Sequence, residues 1–168
     1  FRALFTKIMP SVPGPATRAM TVEEIQSEHD EFAASAELAV RAEFDGIEIH
    51  CPHGYLGQQF LSPRSNKRTD QYGGSLENRM RFIVGLVQKT IAAVPPGFPV
   101  GIRLSADEHM PDGVTLDEMK VVARKLEELG IANIHMSSGS YEAFSWLFPG
   151  DDAIMVDEAK AFKDAVNC

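Results

Sequence analysis

Three short apolar runs, each set between longer stretches of helical spacing, constrain this chain more than anything else in it. The runs are residues 46–50, "FPVGIRLS" and "IANIHMSS". Ahead of the first, "TVEE" offers Thr21 as a cap for free backbone N–H groups, with Glu24 placed to close a capping box. Ile25, Phe32, Ala36 and Ala39 then recur at helical spacing, and the helix should fade near Glu43. Ser75 opens a second helix with the apolar stripe Leu76, Met80, Ile83, Val87 and Ile91, ending before "PPG". Thr115 and Glu118 form another capping box, and Gly130 supplies the stop. A last helix is expected over 156–166. The order α-β-α-β-α-β-α is the pattern of parallel strands joined by helical crossovers. A wound open sheet and a closed barrel both produce it.

Length narrows the picture. The chain has 168 residues, enough for one domain with a core. A complete barrel of eight strand–helix units needs ~250 residues. The sequence opens "FRALFTKIMP" without an initiator methionine, so we expect it to be cut from something longer. Residues 1–20, rich in proline, read as an irregular loop. Residues 21–168 carry the alternating units, which makes 1–168 one partial domain.

Charge and composition exclude several classes. With 24 acids against 16 bases and a net charge of -8, a nucleic-acid partner held by phosphate contacts is not expected. No apolar stretch approaches the ~18 residues of a membrane span. Cys51 and Cys168 are far apart, which argues against a disulfide framework and a cysteine zinc site and fits a cytoplasmic setting. A small-molecule ligand is the expected partner, and a homo-oligomer stays open.

In parallel α/β folds ligands sit at the carboxyl ends of strands. The first strand ends with His50, His53 and Tyr55, the second with Arg103, Ser105 and Asp107, the third with His135, Ser137 and Ser138. Neighbouring strands would bring these groups to one mouth. Residues three apart on a straight strand face opposite sides, so His50 and His53 cannot share a site unless the strand breaks. Pro52 should break it, and Gly54 permits a further bend. Two neutral imidazoles and a phenol can bind a carbonyl oxygen and stabilise charge growing on it. A tyrosine can also hand a proton to a carbanion, and an arginine nearby stabilises an anion.

Plainer readings stand beside these. His50 and His53 can be satisfied core histidines, Tyr55 a packing residue, and Arg103 a partner for one of the many carboxylates. A metal-dependent hydrolase would use the histidines as ligands, but no standard ligand spacing is present. His135 is expected inside the barrel or core as a structural residue, and His29 and His109 on the surface. Cys51 reads as a small buried filler without a basic neighbour to activate it. Residues 61–82 look like a long, charge-laced connection, functional or packed on itself.

The stretch "FDGIEIHCPHGYLGQQFLSPRSNKRTDQYGGSLENRMRF" resembles the flavin-dependent old yellow enzyme family. It looks most like the branch of NADH:flavin oxidoreductases, 2,4-dienoyl-CoA reductases and 2-enoate reductases. "FPVGIRLSADE" and "IHMSSGSYE" resemble the next two strands of that family. The resemblance runs over roughly residues 15–167. It implies a TIM (β/α)8 barrel that binds FMN, of which this chain carries the fourth to sixth strands. It implies reduction by NADH or NADPH and hydride transfer to the C=C of an α,β-unsaturated carbonyl, enoate or enoyl thioester. His50 and His53 would bind the substrate oxygen, Tyr55 would donate the proton, and Arg103 would lie by the flavin. In dienoyl-CoA-reductase-like members an iron–sulfur cluster and a further domain follow the barrel, outside this segment. An amine dehydrogenase or demethylase of the same fold, and a segment inactive alone, are the competing readings. Cys51 and Pro52 depart from the small residues usual after His50, which puts substrate choice in question.

Overall fold

The computed structural model describes residues 18–140, 143 and 154–168. The expected irregular loop over 1–20 therefore lies almost wholly outside the described residues. The elements run α1 (Val22–Arg41), β1 (Ile47–His50), α2 (Leu56–Leu61), α3 (Leu76–Ala92), β2 (Val100–Ser105), α4 (Leu116–Glu128), β3 (Asn133–Ser137) and α5 (Val156–Lys163). Both capping boxes form. Thr21 accepts the Glu24 N–H while the Glu24 carboxylate accepts the Thr21 N–H, and Thr115 and Glu118 do the same. Ser75 accepts the Asn78 N–H. Each such cap stabilises its helix by about 1 kcal/mol.

The three strands are parallel, in the order β1-β2-β3, with Ile49 opposite Ile102 and Ile102 opposite Ile134. Strand side chains alternate between faces. Ile47, Ile49 and Cys51, then Val100, Ile102 and Leu104, then Ile134 and Met136, face the helices. There they meet Ile25, Phe82, Ile83, Leu86, Met119, Val122 and Leu126 in one core. Successive helices pack side by side: α1 on α3, α3 on α4, α4 on α5. The opposite face carries Glu48, His50, Arg103, Asn133 and His135, and no helix among the described residues covers them. An open doubly wound sheet has helices on both faces. A parallel sheet in sequential order with helices on one face only is the wall of a (β/α)8 barrel, and this chain is a sector of one.

Two expectations need correcting, and one helix was not expected: Leu56–Leu61 is helical but too short for its periodicity to register, while residues 62–75 carry no helix or strand. His29 is not on the surface. It lies four residues after Ile25 and three before Phe32, on the apolar stripe of α1, and packs on the Phe82 ring at 5.0 Å over Gly85. The last helix stops at Lys163, three residues early.

The charged connection after α2 is packed on itself. Asn66 donates to the Phe60 and Tyr72 carbonyls and accepts the Arg68 N–H. Arg68 pairs with Asp70 at 2.5 Å and donates to the Met20 carbonyl. Arg79, 4% exposed, donates to the Leu61 and Gly74 carbonyls and pairs with Glu118 at 2.5 Å. This arginine ties the end of α2, the loop and α4 together.

Candidate active site

The strand break after His50 is sharper than Pro52 alone would make it. His53 has φ 62° and Gly54 φ 82°. The left-handed region is costly for a residue with a Cβ, so the surroundings must hold His53 there. Ser105 Oγ accepts the His53 N–H at 3.2 Å and donates to the Gly139 carbonyl at 2.8 Å. Gln58 Oε1, from buried α2, accepts the Gly54 N–H at 3.0 Å. The Tyr55 N–H donates to the Pro52 carbonyl at 3.2 Å, and Tyr55 is then the N-cap of α2.

That turn gathers the expected residues. The His50 and His53 rings stand 5.6 Å apart, edge to face, and the His50 and Tyr55 rings 5.5 Å apart. His50 thus neighbours both. Tyr55 is 47% exposed. Arg103 sits opposite His50 in register, and His135 opposite Arg103. Ser137 Oγ lies 2.5 Å from His53 Nε2 and 3.5 Å from Arg103 Nη2.

The electrostatics follow from this crowding. Burial, then the charge of Arg103, lowers the His53 pKa to about 4, and the same causes lower that of His50. Both imidazoles are neutral at pH 7 and act as hydrogen-bonding groups. Arg103 Nε is buried, and no described residue accepts its hydrogen bond. An orphaned cationic donor on the open face of a barrel wall fits an acceptor-rich or anionic group placed against it. FMN, the cofactor implied by the resemblance, is such a group.

Other polar residues at the strand ends do not join the mouth. His135 lies on the open face, which is the inner side of a closed barrel as expected, and is 3.0 Å from Glu48. Ser138 follows Ser137, so the pleat turns it the other way, onto His109 Nε2 at 2.8 Å. His109, expected on the surface, is only 21% exposed at its side chain, and its Nε2 also lies 2.8 Å from Glu158. Asp107 accepts the His109 and Leu116 N–H groups and shapes the β2–α4 turn. Among the described residues no three His, Cys, Asp or Glu side chains are grouped to hold a metal. Cys51 is buried against Gly57, and burial raises its thiol to about 12, so it is not a nucleophile. Gln58 is the site-shaping residue that the sequence did not reveal; it is one of two adjacent glutamines in the six-residue α2, and nothing local tells the buried one from the exposed Gln59.

The NADH:flavin oxidoreductase / NADH oxidase family profile matches residues 8–158. A protein named NADH oxidase from Thermoanaerobacter brockii is 45% identical over 134 residues, 80% of this chain and 21% of that one. The N,N-dimethylglycine/sarcosine dehydrogenase of Chromohalobacter salexigens is 43% identical over 118 residues, 70% of this chain and 17% of its own. A solved complex of 2-naphthoyl-CoA reductase with 2-naphthoyl-CoA superposes with a TM-score of 0.83 at 29% identity, covering 93% of this chain and 24% of that one. The chain spans about a fifth of the length of these relatives. No helix among the described residues is long and apolar enough to cross a membrane.

Proposed function

Because this chain belongs to the NADH:flavin oxidoreductase / NADH oxidase family, we propose that it forms the substrate wall of an FMN-dependent ene-reductase. Its reductant is NADH or NADPH, and its substrate an α,β-unsaturated carbonyl, enoate or enoyl thioester. FMN, when bound, supplies the two-electron chemistry that links nicotinamide to alkene. Arg103 would hold it, through the cationic donor that no described residue satisfies.

The observation that carries this reading is the grouping of His53 and Tyr55 around His50, which stands opposite Arg103 in register. Two neutral imidazoles can direct N–H donors at one oxygen and stabilise negative charge that develops on it. Their neutrality matters, since a charged imidazolium would bind any anion without regard to the reacting carbonyl. Tyr55, exposed beside His50, would give its phenolic proton to the α-carbon. The Cys51 and Pro52 departure leaves this grouping intact: Cys51 fills the core and Pro52 accepts the Tyr55 N–H.

The experiment uses the full-length protein and separates the half-reactions. Tyr55→Phe is expected to slow reduction of 2-cyclohexenone by about 10²-fold or more, while NADH still bleaches the flavin bands at nearly the wild-type rate. Equal rates in both halves would remove Tyr55 as proton donor. A second reading, oxidation of a secondary or tertiary amine, is favoured by the likeness to the dimethylglycine/sarcosine dehydrogenase. Bleaching of the flavin bands by dimethylglycine, with no turnover of an enone or enoate, would select it.

A further inference from the structure

Ser137 ends β3 with its hydroxyl buried between two site residues, His53 Nε2 at 2.5 Å and Arg103 Nη2 at 3.5 Å. A guanidinium has donors only. The hydroxyl therefore accepts from Arg103, and its own single proton must go elsewhere. A buried hydroxyl without an acceptor is costly. Among the described residues the remaining atom bonded to this Oγ is His53 Nε2. If Nε2 accepts, it carries no proton, and a neutral imidazole then carries its proton on Nδ1.

We propose that Ser137 is a positioning residue that fixes His53 as the Nδ1–H tautomer, so that the site presents a donor rather than an acceptor to its ligand. This deepens the ene-reductase reading and rests on His53 being one of the oxygen-binding pair. No described residue bonds His53 Nδ1, which leaves that N–H for a ligand. Neutrality of the ring is secured separately, since burial and Arg103 hold its pKa at about 4. The backbone adds a second restraint: Ser105 grips the His53 N–H, so the ring cannot follow a different turn.

The consequence is a choice of substrate chemistry. A fixed N–H donor suits a carbonyl, carboxylate or phenolate oxygen. It offers no lone pair to the N–H of an ammonium group, so an ammonium group gains nothing at His53. Replacing the serine with alanine frees Nε2 and lets the ring take either tautomer, with part of the population presenting a lone pair.

The test is magic-angle-spinning NMR of the full-length, flavin-loaded protein labelled with 15N-histidine, the His53 signals being assigned by loss in His53→Asn. At pH 7 the wild type should show a protonated Nδ1 and a bare Nε2 at His53. Ser137→Ala should convert this to a mixture containing protonated Nε2, and Ser137→Thr should restore the wild-type pattern. The same alanine variant should raise KM for 2-cyclohexenone by about tenfold, the worth of one hydrogen bond, with threonine recovering it. A wild-type His53 protonated on Nε2 overturns the proposal even if the enone is reduced. An alanine variant with an unchanged tautomer overturns it as well. A Nδ1–H tautomer that depends on Ser137, in a protein that turns over no enone or enoate, upholds the role of Ser137 and removes the ene-reductase reading.

Discussion

Gly57→Ala tests how the barrel wall sets the position of Tyr55. Gly57 lies in the first turn of α2, two residues after Tyr55. A methyl there would stand 2.5 Å from Cys51 Sγ, 2.7 Å from its Cβ and 3.2 Å from its Cα. Cys51 is buried at the end of β1, and its Cβ is anchored to the backbone, so it cannot swing aside. Alanine in place of a helical glycine stabilises by about 1 kcal/mol. Overpacking costs about 1–3 kcal/mol, and contacts this close belong at the upper end. The expected net loss is about 2 kcal/mol, read as a lower urea midpoint with an unchanged slope. Relief requires α2 to retreat by roughly 1 Å to reach an ordinary carbon contact. Tyr55 is the N-cap of that helix and moves with it. A misplacement of this size costs about 10²-fold in turnover. Cys51→Gly in the same chain removes both the Sγ and the Cβ that the new methyl meets. The two changes should therefore couple favourably, by about 2 kcal/mol in a double-mutant cycle. If Gly57→Ala leaves midpoint and turnover at wild-type values, or the pair shows no coupling, the packing of α2 on Cys51 does not set the site.

Two further outcomes follow from buried charge and buried histidine. Arg79→Met leaves the Leu61 and Gly74 carbonyls and the Glu118 carboxylate without their donor and should cost about 3 kcal/mol in the urea midpoint; Glu118→Gln should cost less, since Glu118 is part-exposed and Arg79 keeps both carbonyls. The second concerns pH: the folded His53 pKa of about 4 lies below its ordinary 6.5, so the unfolded chain binds more protons between those values. Stability should fall as pH drops from 6.5 toward 4 and be insensitive to His53 above that window, with His50 and His29 shifted in the same direction. Urea midpoints measured from pH 7.5 to 4.5 check this, and a flat profile below 6.5 would refute it.

The sequence by itself determined what depends on near neighbours. Caps at Thr21, Ser75 and Thr115 and the helical stripes were legible because they join residues three or four apart. The parallel alternation and the strand-end placement of His50 and Arg103 were legible for the same reason. The choice between an open sheet and a barrel wall was not, because periodicity tells which residues are apolar but not which side the helices take. His29 was misjudged for a related reason: a histidine on an apolar stripe becomes core only when another helix lies over it. At the site, the left-handed turn at His53 is held by Ser105, and the ring by Ser137, which is 84 residues away. That no described residue accepts from Arg103 Nε is likewise a fact of packing. Such contacts form only when strands far apart in sequence are brought into register, so they are decided by the tertiary structure alone.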